Sequence, residues 1–544
     1  MRIDLHVHTD QSDGADSLES VLKAAHLKQV THLGIVNHDT LEGLDEAMAL
    51  GEKSGIAIIP GIEISAMDFK TQRKVHILGY YVDPKGENIR NLCGPLLKAR
   101  HQNSLWQIGR LQEAGYPLDT QRIMAQAKGG TIYKQHIMNE LVGLGYTNSI
   151  YSGLYQQFFK NGGICHRDIE YVDALEAVRA IKADGGIAVL AHPGQLESYA
   201  SIGQLVDAGL DGIELNHEDH TEEDHELVRK YAEKYGLFVT GGTDYHGMFG
   251  TKILVGDILC PPESAWLFTA RDAQQFRAFQ AVAGYRGFMG KIIKEAGERL
   301  RAARGEDMGL AFKEGNHADL VTRHDMETER FLVEQISAKH PAHGFITEEG
   351  QVENRFSEFT WIIDPIDGTT NFATIGKDFA ISIALFKGKK PYLGMVYDVM
   401  EDTLYEGIAC AGAFKNGEAL SRLSQKEALK EVLVDVSLNA LYNFEVKNRV
   451  RAYHLVKKIR GHRAYGSAAI SLCKVATGEL GAYISSGLGP WDYAAAIILL
   501  NEVGGSHTVS EINLGKVPMM GAANSRIFQE LQGMLGFEGG ERYA

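Results

Sequence analysis

The chain has few cysteines, no long apolar stretch and a deficit of positive charge. Its five cysteines (Cys93, Cys165, Cys260, Cys410 and Cys473) are odd in number, scattered and nowhere spaced CxxC. That usage excludes a disulfide framework and fits a reduced, cytoplasmic setting. The lack of a long apolar run excludes a membrane-spanning helix. No cleavable presequence can be drawn, because the candidate ligands His6 and His8 stand where it would be removed. A formal net charge of -15, from 55 Lys+Arg against 70 Asp+Glu, argues against coating of long nucleic acid. Small phosphorylated substrates stay open, since bound divalent cations reverse a local potential.

At 544 residues, with 44% hydrophobic and 23% charged residues and no repeat or low-complexity tract, the chain is expected to fold as two or three globular domains. RIDLHV, HLGIV, IAIIPGIEI, KVHILGYYV, GIAVLA, GIELN and LFVTGG read as seven strands separated by helical stretches, the pattern of a barrel-like α/β domain over about residues 1–265. Residues of about 98–165 read as a helical insert able to cap the barrel mouth. Pro261 and Pro262 break the pattern, and an amphipathic helix follows over about 272–304, with Phe276, Phe279, Val282, Phe288, Ile292 and Ile293 as its apolar positions. A second α/β or α+β domain then occupies 272–544.

In DLHVHTD, Ile3, Leu5 and Val7 alternate with Asp4, His6 and His8, so the two imidazoles share one face of a strand and Asp13 lies in the turn beyond. A lone HxH is weak evidence. It gains weight because His38, Glu63, His192, Asp244 and His246 each fall at or just past the end of an expected strand, with His76 inside one, and strand ends are where barrels gather ligands. His26, His32, His101, His217, His220 and His225 lack that placement and read as structural or solvated. In the other half, TWIIDPIDGTTNF ends an apolar strand with Asp364 and Asp367 around a glycine turn. GFITEEG supplies Glu348 and Glu349, and GPWDYAAA sets Asp492 at the head of an apolar helix. Three acidic clusters so placed suit two or three hard cations.

The ordered histidine series resembles the PHP (polymerase and histidinol phosphatase) family over residues 1–260. The resemblance implies a distorted (β/α)7 barrel and a trinuclear site holding Mn2+, Zn2+ or Fe2+, with water activated there as nucleophile. It groups His6, His8, Glu63 and Asp244 at one metal, Asp13, His38 and His192 at a second, and Glu63, His76 and His246 at a third. The insert and the run TIYKQHIMN look most like the nucleoside 3',5'-bisphosphate phosphatase branch, some members of which trim RNA 5' ends. Lys134 stands where that branch usually has Arg, and His136 matches; both are expected to bind substrate.

The carboxylate series, with DLVTRHD (319–325), YDVMEDTLYEGIACAGAFKNG and GSAAISLCKVATGEL, is similar to the inositol monophosphatase family. That likeness implies a layered αβαβα fold and Mg2+ held by Glu348, Asp364, the Ile366 carbonyl, Asp367 and Asp492. Asp325 and Thr369, with Glu348, would activate water. Gly368, Thr369, Thr370 and the Gly466, Ser467, Ala468 turn would approach phosphate. Ser485 stands near the position where inositol-specific members place a glutamate, which weakens an inositol phosphate reading.

The expected protein is a bifunctional metal-dependent phosphatase of small phosphorylated metabolites, able to self-associate. Its first half acts on a nucleotide ester such as adenosine 3',5'-bisphosphate or the 5' end of short RNA. Histidinol phosphate or sugar phosphate is the alternative substrate class, and a noncatalytic regulatory role for one half the alternative from another class.

Overall fold

This computed structural model describes residues 1–303, 311–312, 320–447, 452–512 and 514–537, so Asp319 of DLVTRHD lies outside the described residues. The chain divides into two compact units, Met1–Phe276 and Arg277–Ala544.

The first unit carries strands β1 (Ile3–Val7), β2 (His32–Ile35), β3 (Ala57–Asp68), β4 (Arg73–Tyr80), β5 (Val172–Asp173), β6 (Ile187–Leu190), β7 (Gly212–Asn216) and β8 (Phe238–Gly241). They pair in the order β1-β2-β3-β4-β6-β7-β8, with the short β5 beside β3. After β8, the chain returns to β1, where His8 N–H donates to the Tyr245 carbonyl and Tyr245 N–H to the His6 carbonyl. The sheet is therefore nearly closed. Helices α1 (Leu18–Leu27), α2 (Leu44–Ser54), α3 (Glu87–Glu113), α4 (Thr120–Gln126), α5 (Lys134–Gly143), α6 (Gly153–Phe159), α7 (Ala174–Ala183), α8 (Ile202–Ala208), α9 (Glu222–Tyr235) and α10 (Pro262–Ala265) complete it. All five residues of β1 are buried. Its apolar face contributes Val7 to the core with Val21 and Leu22 of α1, which leaves the histidine face for the interior.

Two features depart from the expected barrel. Strand β4 is antiparallel to both neighbours, β3 and β6. Strand β3 does not end near Glu63 but runs on to Asp68, whose carboxylate accepts from the Lys70 and Thr71 amides in the turn that returns the chain as β4. Glu63 thus sits mid-strand on a hairpin arm. The insert also begins earlier than expected, at Glu87 in α3, and α3 to α6 close on their own core of Ile108, Leu111, Ile123, Ile137, Leu141 and Phe158.

The chain continues through α11 (Ala273–Ala302), where Phe276, Phe279, Val282, Ile292 and Ile293 are buried as their spacing required and Phe288 is half-buried. The second unit adds β9 (Ala311–Phe312), β10 (Leu320–Val321), α12 (Arg323–Lys339), β11 (Gly344–Thr347), β12 (Phe359–Asp367), α13 (Thr369–Thr374), β13 (Ala380–Lys387), β14 (Lys390–Asp398), β15 (Thr403–Ile408), β16 (Gly412–Lys415) and β17 (Glu418–Ala419). Then come β18 (Leu433–Val436), α14 (Leu438–Lys447), β19 (Gly461–Arg463), α15 (Ala468–Ala476), β20 (Ala482–Leu488), α16 (Pro490–Glu502), β21 (Ser506–His507), β22 (Val517–Ala522) and α17 (Ser525–Leu535).

Strands β11 to β17 form one sheet in sequence order, and β19-β18-β20-β22-β21 a second. Helix α16 is apolar on nearly every side, as a helix between two layers must be. It packs on β12 to β16 while its neighbour α15 packs on β20 and β22. Helices α14 and α17 cover the outer face of the second sheet. Helix α12 flanks β12, and Gly297 of α11 brings its backbone so close to Tyr397 that a Cβ there would lie 2.4 Å from the ring. The layers run αβαβα.

Candidate metal centres

In the first unit the strand pattern delivers seven histidines and three carboxylates to one cluster. Glu63 is its centre. Oε1 lies 2.8 Å from His76 Nδ1 and 2.9 Å from His192 Nε2, and Oε2 lies 3.2, 3.1 and 3.3 Å from Nε2 of His6, His8 and His38. Asp244 Oδ1 lies 3.2 Å from both His6 Nε2 and His8 Nε2, and Asp13 Oδ1 lies 3.3 Å from His246 Nε2.

These distances sort the ligand atoms into overlapping groups: His6, His8, Glu63 and Asp244; His8, Asp13, His38 and His246; His38, Glu63 and His76; and His192, His217 and Asp244. The first matches the expected set. The other two exchange members, since His246 joins Asp13 and His192 joins Glu63. The reason is geometric: His192 follows β6, which pairs with β4, while His246 follows the turn that returns to β1.

His217 was expected to be structural, yet it is buried with Nε2 3.3 Å from Asp244 Oδ2. It directly follows β7, so the strand-end rule applied to it as well. Glu214 was also missed. It is a buried carboxylate on β7 that lies 3.1 Å from His6 Nδ1 and accepts from the His192 amide at 2.9 Å, and so orients two ligands.

The donor set fits divalent ions. His8 shares neither ring nitrogen in a hydrogen bond, and Asp244 Oδ1 accepts none, although all are buried and close-packed. Short approach without hydrogen-bond geometry is how ligand atoms aimed at a common point stand. The charges are tightly linked. Burial works against its charged form, yet the Asp13 and Asp244 carboxylates push His246 up to about 10. Burial lowers His38 to about 4. Asp244 itself adopts a left-handed backbone, φ 50°, a strain tolerated where surrounding contacts overdetermine a residue.

The insert reaches this cluster. Arg100 of α3 pairs with Asp39 at 2.6 Å, the Tyr133 hydroxyl donates to the His38 carbonyl, and Gln135 Nε2 donates to Asp13 Oδ2. Lys134 lines the cavity beside Asp13, His38 and His76. His136 does not: it is fully buried, accepts from the Tyr133 amide through Nδ1 and meets Phe249 edge-on. It caps α5, and its Nε2 has no hydrogen-bond partner among the described residues.

In the second unit, oxygens of Asp364, Asp367 and Asp492 lie within 4.8 Å of one another. Burial and the neighbouring charges of Glu348, Asp367 and Asp492 raise Asp364 well above the usual carboxylate range, and burial pushes Asp367 up to about 6. Such crowded carboxylates ionise together only beside cations, so the set fits divalent ions. The Ile366 carbonyl accepts from Thr369 Oγ1 at 3.1 Å, and the same hydroxyl lies 3.0 Å from Asp325 Oδ1. Burial pushes Asp325 up to about 6 against hydrogen bonds from Thr322. Gly368, at φ 95°, opens α13, followed by Thr369 and the exposed Thr370.

The Gly466, Ser467, Ala468 turn lies against Asp367. Ser467 Oγ and the Ala468 and Ala469 amides donate to the Asp367 carboxylate, so the start of α15 positions that carboxylate instead of presenting open donors to phosphate. Glu329, buried in α12, accepts from the Glu349 and Gln351 amides, both at 2.8 Å, and so holds the loop that carries Glu348.

Residues 4–256 match the PHP domain family and residues 285–530 the inositol monophosphatase family. Over 254 residues the chain is 51% identical to a phosphoribosyl 1,2-cyclic phosphate 1,2-diphosphodiesterase of Eggerthella lenta, covering 46% of this chain and 97% of that protein. It is 43% identical over 226 residues to an inositol-1-monophosphatase of Bacillus subtilis, covering 41% of this chain and 83% of that one. The crystal structure of a staphylococcal IMPase-II is similar at 34% identity and a TM-score of 0.40, covering 46% of this chain and 92% of that one. Both families comprise divalent-metal-dependent phosphoesterases, so the protein is an enzyme with two phosphoesterase domains. The chain belongs to the PHP family in its first unit and to the inositol monophosphatase family in its second.

Proposed function

We propose that the first unit opens a cyclic phosphodiester of a phosphorylated ribose, and that the second removes phosphate from a small phosphate monoester. The observation that carries the first part is the likeness to the Eggerthella lenta enzyme, at 51% identity over 254 residues and 97% of that protein. His6, His8, Asp13, His38, Glu63, His76, His192, Asp244 and His246, joined by His217, would hold the ions, with Mn2+ as the metal to supply first. Bound there, the ions would supply a Lewis acid for the phosphoryl oxygens and a more acidic water. Glu214 orients the His6 imidazole and fixes the backbone amide of His192, and the insert narrows access to the cavity. The oxygen of water adds to phosphorus, one ring ester bond breaks, and the water proton ends on the freed ribose oxygen. One diester becomes one monoester.

In the second unit Glu348, Asp364, the Ile366 carbonyl, Asp367 and Asp492 would hold Mg2+. Asp325 and Thr369 share a hydrogen bond placed to take a proton from water. A second reading for the first unit, hydrolysis of adenosine 3',5'-bisphosphate, is favoured by the cationic cavity under the insert.

The test is 31P NMR of phosphoribosyl 1,2-cyclic phosphate with the full chain and Mn2+, beside adenosine 3',5'-bisphosphate and inositol 1-phosphate. The cyclic resonance should give way to monoester and then to inorganic phosphate. Persistence of the cyclic resonance while the bisphosphate is consumed would replace the first reading by the second.

A further inference from the structure

The cavity beside the first cluster, of about 220 Å3, is more cationic than one reacting phosphoryl group requires. At one end it is lined by Asp13, His38 and His76, and beyond them by Lys74, Arg100, Lys134, Lys160 and Arg167. Five cations share this space in a chain of net charge -15. Two have anionic partners: Arg100 pairs with Asp39 at 2.6 Å, and Lys74 lies 3.6 Å from Asp168. The other three have no carboxylate at ion-pair distance among the described residues. Lys134 rests over the Phe159 ring at 5.8 Å and Arg167 over the Trp106 ring at 5.2 Å. All three come from the insert, with Lys134 opening α5, Lys160 ending α6, and Arg167 in the segment that leads to β5.

Cations left facing one another across a cavity repel, and the arrangement costs stability unless an anion joins them. Burial and then the neighbouring Lys160 lower the Lys134 ammonium to about 8, against the pull of Asp168, which also lines the cavity. A phosphate monoester, with close to two negative charges and three acceptor oxygens, satisfies several such donors at once.

We propose that Lys134, Lys160 and Arg167 form a second anion site, which holds a non-reacting phosphate of the substrate while another phosphoryl group sits at the His/Asp/Glu cluster. The site selects doubly phosphorylated compounds over their singly phosphorylated counterparts. It rests on the reading of the first unit as a sugar phosphoesterase, but not on which ester is cleaved. The insert thereby acts as the specificity element of the barrel.

The test compares phosphoribosyl 1,2-cyclic phosphate with ribosyl 1,2-cyclic phosphate, using the Mn2+-loaded full chain and the variants Lys134→Gln, Arg167→Gln and Lys134→Arg. Each charge-removing variant should lower kcat/KM on the phosphoribosyl compound by about 10–100-fold, chiefly through KM. On the compound lacking the second phosphate the loss should shrink to a few-fold. Lys134→Arg should recover most of the difference. Equal losses on both compounds would overturn the anion site, leaving Lys134 and Arg167 as structural residues. If neither cyclic compound turned over, the cyclic-diester reading would fall, and adenosine 3',5'-bisphosphate against adenosine 3'-monophosphate would give the same comparison.

A second readout is independent of turnover. Acetylation of Lys134 in the holoenzyme, followed by peptide mass spectrometry, should be slowed several-fold by inorganic phosphate. No protection would count against the site whatever the kinetics.

Discussion

Glu63 gathers five imidazoles with its two oxygens, and it is wholly buried. Glu63→Gln keeps the shape but removes the charge and one lone-pair-only oxygen. Metal content of the first unit and its diester hydrolysis should both fall by more than the roughly 10–100-fold expected for losing a supporting hydrogen bond. Elemental analysis and 31P turnover check this, with Glu214→Gln as the milder comparison. A different residue contributes acid sensitivity in the second unit, against the raised Asp325 and Asp367. Burial lowers His507 to about 4, so the folded state keeps the imidazole neutral while the unfolded chain protonates near 6.5. The neutral-histidine contribution is therefore intact above about pH 6.5 and is lost as pH falls toward 4. Between pH 7 and 5 this costs about 2 kcal/mol. Hydrogen exchange of second-unit peptides should show that loss in the wild type and a smaller one in His507→Gln.

At the scale of elements, the hairpin of β3 and β4 and the loop after β11 matter most. Glu329 holds that loop through two amides. Glu329→Gln keeps one acceptor oxygen, so the second unit should need roughly tenfold more Mg2+ for half-maximal monoester hydrolysis, with an unchanged circular dichroism spectrum. Titration of activity against Mg2+ checks it.

Much at this scale was legible in sequence. The alternation in IDLHV put His6 and His8 on one face, and each of the seven expected strands has its counterpart. Periodicity reports local direction but not length past a polar residue, so the run of β3 through Ser65 to Asp68 went unseen. His217 directly follows a strand and was legible in principle, but it was not credited with a strand-end place. Pairings over long separations were not legible. Ser467 with Asp367, one hundred residues apart, is set by the meeting of α15 with β12.

For the whole molecule, each unit contains its own core and its own ligand cluster, described without residues from the other. Two donor sets, one rich in imidazoles and one of carboxylates alone, then coexist in one chain. The full-length variant His6→Ala/His8→Ala should lose diester opening, by about 100-fold or more, and keep monoester hydrolysis within about twofold, and Asp364→Asn/Asp367→Asn should show the reverse. Paired assays on the same preparations check this, and a parallel loss of both activities would mean that the sites are coupled.

The sharing of Glu63 has one more consequence. A carboxylate divided among five imidazoles must serve more than one ion at once when the cluster is filled. The first ion would draw on the whole charge of that carboxylate, whereas each later one would share it and meet the charge already bound, so successive ions would be held less tightly. Filling of the first unit should be stepwise: starved of metal, a population would show partly filled molecules by native mass spectrometry, and only bare and fully loaded ones would contradict this.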